Sequence, residues 1–249
     1  MADLILIFLA GFFGGLLNAI AGGGTFITFP ALVFAGVPEI AANATSTVAA
    51  MPGYLSAAIG FRHDIAEIDR SLLLRLTGWT MLGGAVGSLL LLVSSNAAFT
   101  VLIPFLLLAA TLVFLNGPQI REWAARRRGA VTAYGAGTMV PVAIYGGFFN
   151  GGLGIVLLAL FSMWGMTNLH MMNGLKCWLS FALSVVSLAI FASGGKIVWG
   201  LAIVMSLGTI LGGFTGAPVA RRIPMPLLRG LIALIGFGMT AVFLYRLFA

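Results

Sequence analysis

The chain has 249 residues, 61% of them hydrophobic and 8% charged. Soluble chains carry roughly 25% charged residues, so a water-soluble domain is excluded. Leu/Ala/Gly/Phe blocks without period-two alternation exclude a transmembrane β-barrel. The formal charge of +7 does not point to nucleic acid, because Lys and Arg in a membrane protein report orientation first.

The first half divides into apolar segments Leu4–Ile20, Phe26–Ala35, Ala41–Gly60, Leu72–Val93 and Ala98–Leu115. The second half gives Val131–Phe149, Ile155–Trp164, His170–Ala192, Val198–Ala217 and Leu227–Leu247. Asp3 stands where a signal peptide would carry a basic region, so Leu4–Ile20 is expected to be a retained membrane segment. The segments Phe26–Ala35 and Ile155–Trp164 have about half the length that a ~30 Å hydrocarbon core requires. A glycine run precedes each. Each short segment is therefore expected to form a re-entrant hairpin with the segment before it. Backbone freed at such a break is tolerated only inside protein or beside a wet cavity.

Gly22, Gly23, Gly36, Gly83, Gly84 and Gly87 recur 129 residues later as Gly151, Gly152, Gly165, Gly212, Gly213 and Gly216. Six glycines in one register indicate two homologous halves, 1–120 and 130–249, within a single transmembrane domain over 1–249. The predicted fold is an all-α polytopic membrane protein of two inverted repeats, each a re-entrant helical hairpin plus three transmembrane helices. Charge supports the even crossing count of each hairpin. With the linker 116–129 cytoplasmic, loops 61–70 and 218–226 fall on the same side. Arg62, Arg70, Arg75, Arg121, Arg126, Arg127, Arg128, Arg221, Arg222 and Arg229 then lie inward, against Lys196 and Arg246 outward. The two hairpins open to opposite faces, the arrangement that puts a substrate site near the midplane.

The first break reads Asn18 to Thr25, with Gly22, Gly23 and Gly24 before the short helix. Glycine lets the backbone turn sharply and approach a ligand closely. Unpaired N–H groups at a helix start form an anion site without a basic side chain. The second break, Asn150, Gly151, Gly152, Leu153 and Gly154, supplies a second such start. Close helix packing by small residues is the competing role for these glycines. Lys176 lies about two turns into its span with no carboxylate in the same segment. A mid-membrane cation costs at least ~2.5–3.5 kcal/mol. It is expected to meet an anion in transit or, alternatively, to snorkel to the headgroups. Asn173, three residues earlier, shares its helix face. Thr47 stands opposite Lys176 at the 129-residue offset, in the stretch Asn43, Ala44, Thr45, Ser46, Thr47. Those hydroxyls could donate to an oxyanion or bond their own helix backbone.

Taken together, the order Gly22-Gly23-Gly24, Pro30 and Ala42-Asn43-Ala44-Thr45-Ser46 resembles the sulfite exporter TauE/SafE family of membrane permeases. So do Gly147 to Gly154, Met172-Asn173-Gly174-Leu175-Lys176, and Leu211 to Ala217 followed by Arg221-Arg222-Ile223-Pro224. Asn150 and Leu153 depart from the family's usual glycine or small residues. The resemblance implies a carrier of small sulfur-containing anions or organic acids, including sulfite, sulfonates and sulfoacetate.

The residues outside the breaks carry no catalytic pattern. His63, Asp64, Glu67 and Asp69 read as a solvated loop, and the single cysteine, Cys177, as a small apolar residue. No metal site, cofactor or catalytic group is expected. The expected function is a plasma-membrane transporter that exports a small anion by alternating access. An anion channel of the same fold and a carrier of small carboxylates are the alternatives. The expected partners are the substrate anion and the lipid bilayer, with no nucleic acid; a homodimer is an allowed assembly.

Overall fold

The computed structural model describes residues 2–20, 22–127, 132–220 and 225–248. The side chains of residues 2, 217–220, 225–229, 231, 232 and 246–248 are outside that description. Arg128, Arg221 and Arg222, which the orientation count used, lie outside the described residues, as do the side chains of Arg229 and Arg246. So do residues 221–224 of the predicted loop 218–226.

The described chain is helical: α1 (Ala2–Ile20), α2 (Thr25–Phe34), α3 (Glu39–Gly60), α4 (Arg62–Ala66), α5 (Arg70–Val93) and α6 (Asn96–Leu115), then α7 (Gly117–Arg126), α8 (Ala136–Phe148), α9 (Leu153–Met163), α10 (Leu169–Ser193), α11 (Trp199–Ala220) and α12 (Met225–Phe248). Five of these, α1, α5, α6, α10 and α11, are long and apolar enough to cross a membrane. Helix α3 has the length, but Asn43, Thr45, Ser46 and Thr47 dilute its apolar content.

Three elements differ from the sequence expectation. The loop 61–70 contains α4 and the linker contains α7, both helices whose polar residues hid them from a search for apolar runs. Helix α8 begins at Ala136 rather than Val131, after a turn in which Tyr134 has φ +57°. At ~1.5 Å per residue it is only about 20 Å long. Helix α1, by contrast, has a crossing length of its own.

Helix ends follow local chemistry. Asp69 caps α5 by accepting the Leu72 N–H at 2.9 Å, and Ser95 caps α6 through the Ala98 N–H at 3.1 Å. Gly36 (φ +83°) and Gly165 (φ +91°) end α2 and α9 in left-handed turns. The N–H of the next residue, Val37 or Met166, then reaches back to the carbonyl of Leu32 or Phe161. The two glycines stand 129 residues apart, as do the starts of α5 and α11 and of α6 and α12.

Packing is reciprocal between the halves. Helix α1 lies against α11 and α8 against α5; α3 packs on α10 and α6 on α12. The α1–α11 seam is backbone on backbone: a Cβ at Gly212 would sit 1.9 Å from the Phe12 carbonyl oxygen. Likewise a Cβ at Gly87 would sit 2.1 Å from the Ile144 carbonyl oxygen in the α5–α8 seam. Such close approach supplies the dispersion contact that holds helices together where lipid removes the hydrophobic drive.

The loops gather at two ends. Phe61 faces His170 at 6.3 Å between ring centres, and α7 packs on α9. At the other end the Val198 N–H donates to Thr45 Oγ at 3.1 Å, and Gly194 abuts Leu92. The outer faces are apolar: Phe34, Val93, Phe214 and Leu234 are each more than two-thirds exposed. The buried interior holds Asn18, Asn43, Thr45, Ser46, Thr47, Asn150, Lys176, Ser180 and Ser184. Apolar outside and polar inside suits a solvent of lipid.

Gly212→Val is expected to cost about 1–3 kcal/mol by overpacking the α1–α11 seam. Gly78→Ala, at a position with nothing within 4 Å of its added Cβ, should be neutral. Thermal melting of the purified protein in detergent checks both.

Candidate functional site

The two glycine breaks meet. A Cβ on Gly22 would lie 2.5 Å from the Gly154 Cα, so the two backbones touch with no side chain between them. Gly22 has φ +81° and Gly152, which precedes α9, has φ +72°. Both occupy the left-handed region that glycine enters without strain. Asn150 adopts φ +60° in the same break, which asparagine tolerates better than most residues.

The first break is tied to its own half. Gly24 N–H donates to Asn18 Oδ1 at 2.8 Å, closing the turn between α1 and α2. Thr28 Oγ donates to the Gly24 carbonyl at 3.2 Å and shares a 2.7 Å hydrogen bond with Ser46 Oγ of α3. Gly23 lies beneath the Phe114 ring near the end of α6. Thr25 is buried at the first position of α2. The second break is tied to the opposite end of the molecule. Asn43, near the start of α3, donates from Nδ2 to the Phe148 carbonyl at 2.9 Å. Tyr145 donates to the Gly151 carbonyl, and Gly151 packs on the Phe149 ring.

Several polar groups here are left without partners. Asn43 Oδ1 and both side-chain polar atoms of Asn150 are buried and unbonded. Tyr54 approaches Asn150 without completing a hydrogen bond. Among the described residues, the amides of Gly152 and Gly154 have no acceptor. Such orphans each forfeit about 1–3 kcal/mol unless something else satisfies them.

Lys176 is 1% exposed and lies beside this junction; a Cβ on Gly154 would sit 3.1 Å from its Cδ. It does not snorkel. Its Nζ donates to Asn173 Oδ1 at 2.9 Å, one turn earlier on α10. No carboxylate lies within ion-pair distance of it among the described residues. One amide oxygen satisfies one of the three ammonium donors.

The predicted site residues therefore separate into two groups. Gly22, Gly154, Asn173 and Lys176 come together, with Gly24, Thr25, Gly151, Gly152 and Asn150 in the adjoining turns. Thr45 and Ser46 are engaged, by the Val198 N–H and by Thr28; Thr47 is buried on the same helix. The sequence reading missed Asn18, Thr28 and Tyr145 as supports. Asn18 four residues before a glycine run, and Thr28 at four-residue spacing from Gly24, are the patterns that could have revealed two of them.

A comparison with known proteins places this arrangement. Residues 7–243 match the family described as Sulfite exporter TauE/SafE. The chain belongs to that family. It is 34% identical over 243 residues to a "Probable membrane transporter protein" of Haemophilus influenzae, covering 97% of this chain and 94% of the relative. It is 30% identical over 245 residues to the "Probable membrane transporter protein YfcA" of Escherichia coli K12, covering 96% and 89%. A "Probable membrane transporter protein ORF9" of Sinorhizobium sp is 27% identical over 243 residues, covering 95% and 90%. No solved structure matches the chain. The TauE/SafE protein described here is thus a multi-pass membrane transporter.

Asn18→Ala is expected to leave the Gly24 N–H unpaired in a buried turn, lowering stability by about 1–3 kcal/mol. A chemical or thermal unfolding series that finds no change would show that the turn is held by backbone alone.

Proposed function

We propose that this transporter carries a small anion, sulfite or an organosulfonate, out across the plasma membrane. The observation that carries the reading is Lys176: a fully buried ammonium with a single amide partner, set against the contact of two helix breaks. A buried charge with one neutral partner is costly. An anion with several oxygens would take up the two remaining N–H donors and meet the amide groups at the start of α9. Its charge is also favoured by the positive ends of the α2 and α9 dipoles. Because the interior acids are missing among the described residues, electrostatics selects the sign of the substrate. A negative-inside potential favours anion exit by ~2.3 kcal/mol per charge per 100 mV.

The reading extends to alternating access by two inverted repeats, 1–120 and 130–249. What supports it is reciprocity: α1 on α11 mirrors α8 on α5, and helix starts recur at the 129-residue spacing. The first break lies by Phe114, close to the end of α6, whereas the second is bonded to Asn43, close to the start of α3. Re-entrant hairpins inserted from opposite faces would have their tips pass each other in this way. In the conformation described here the tips are in contact, which corresponds to a closed centre. The end bearing Phe61, Arg62, Arg70 and α7 is assigned to the cytoplasm, by the positive-inside rule.

Purified protein in proteoliposomes should move sulfite, thiosulfate or sulfoacetate in preference to neutral solutes and cations. Lys176→Ala should reduce that flux at least tenfold, with Lys176→Arg retaining part of it. Unchanged flux in Lys176→Ala would remove the residue from the path, and preferential carboxylate flux would select the organic-acid reading. Topology is checked separately. Cysteines introduced at Pro38 and Thr167 should react with impermeant reagents from opposite sides of the membrane; labelling from one side would refute the inverted arrangement.

A further inference from the structure

A cavity outside the glycine breaks lies where α3 ends and α5 begins. It has a volume of about 420 Å³, within the ~300–1,000 Å³ range of small-ligand sites. Its walls include Leu55, Ile59, Ile65 and Leu73, with Arg62 and Arg70 among the lining residues. Trp178 of α10 also lines it, and its indole is fixed by a 3.0 Å hydrogen bond from Nε1 to Thr77 Oγ.

The two arginines are free to act on a ligand. Both are exposed, and neither forms a salt bridge among the described residues. Three acids share this segment, Asp64, Glu67 and Asp69; none is within ion-pair distance of either arginine among the described residues, and the Asp69 carboxylate accepts from Ser71 Oγ at 2.5 Å and from the Leu72 N–H at 2.9 Å. Those bonds hold its carboxyl below the usual carboxylate range. An apolar cavity beside two unpaired guanidinium groups, at the ends of membrane helices, has the chemistry of a lipid. Arginine matches phosphate oxygens with paired N–H donors, and the cavity accepts hydrocarbon.

We propose that this cavity binds an anionic phospholipid, its phosphate on Arg62 and Arg70 and an acyl chain along the apolar wall against Trp178. The site touches the transport helix directly. A Cβ at Gly174 would sit 2.9 Å from the Phe61 Cβ and 2.8 Å from Ile65 Cγ1, so α4 seats on the turn of α10 that carries Asn173 and Lys176. A lipid that holds α4 in place thereby steadies that turn. This inference rests on the membrane-spanning character of the chain and not on the identity of the transported anion.

The test is native mass spectrometry of the full-length protein with dioleoyl phosphatidylglycerol and dioleoyl phosphatidylcholine added in parallel. The wild type should retain phosphatidylglycerol about 30-fold more tightly, the preference expected for two basic groups near a membrane surface. The double variant Arg62→Gln, Arg70→Gln should lose that preference. Ala66→Trp, which keeps both arginines and fills the cavity, should also lose retention. Circular dichroism of each variant establishes that it is folded. Equal retention of the two lipids by the wild type overturns the proposal. So does an undiminished preference in the double variant, or displacement of the lipid by millimolar inorganic phosphate in the way a free-anion site would allow.

Discussion

Lipid gives no hydrogen bonds to a peptide group, and that constraint governs this chain. A helix that breaks inside a bilayer exposes amides and carbonyls that must be satisfied by protein. This chain breaks twice; the two breaks are pressed together, and neighbouring polar side chains take up part of the demand. Gly22 and Gly154 approach so closely that neither can carry a side chain. The surrounding polar groups are then drawn inward: Asn18 caps Gly24, Thr28 meets Ser46, and Asn43 takes the carbonyl at the end of α8. The interior is polar because the backbone there is irregular, and the exterior is apolar because the helices around it are not.

Lys176 follows from the same constraint. Its side chain is buried, and among the described residues its ammonium bonds Asn173 alone. Insertion scales put the cost of such a residue at ~2.5–3.5 kcal/mol. A structural role would be met more cheaply by an uncharged donor. The first half has no such residue: at the corresponding position it has Thr47, and the neighbouring Ser46 is paired with Thr28. Each break leaves amides without an acceptor among the described residues, Gly23 and Thr25 in the first and Gly152 and Gly154 in the second, but the buried ammonium comes from the second half.

Much of this was readable from residue order. Helix limits followed from apolar runs and glycines, because a bilayer makes hydrophobic length a direct measure of span. The Asn173–Lys176 pair followed from three-residue spacing on one helix face. What residue order did not disclose is which groups are already used. Thr45 and Ser46 looked like free hydroxyls, but their partners Val198 and Thr28 come from other segments. Residue order aligned Gly22 with Gly151; folding sets it against Gly154 instead. Contacts across the interface between halves depend on the tilt of both hairpins, and no local periodicity encodes that. Helices α4 and α7 were missed for a different reason, since a search for apolar segments passes over short polar helices.

The Gly22–Gly154 contact also sets a condition on any transport cycle. Two backbones in contact leave no room for a solute, so passage along the proposed route requires the breaks to part. Both breaks are braced on α3, the first through Ser46 and the second through Asn43, with Asn18 of α1 and Tyr145 of α8 completing the two sets. Parting the breaks therefore loads the bonds to α3 as well as the glycine contact. Glycine surfaces have no interlocking side chains to disengage, so sliding there sacrifices little packing. The Asn43–Phe148 bond ties the second break to α3 and is the element that such a movement must carry along or break. It sits beside Asn150, whose unsatisfied amide would offer Asn43 an alternative partner as the tips separate.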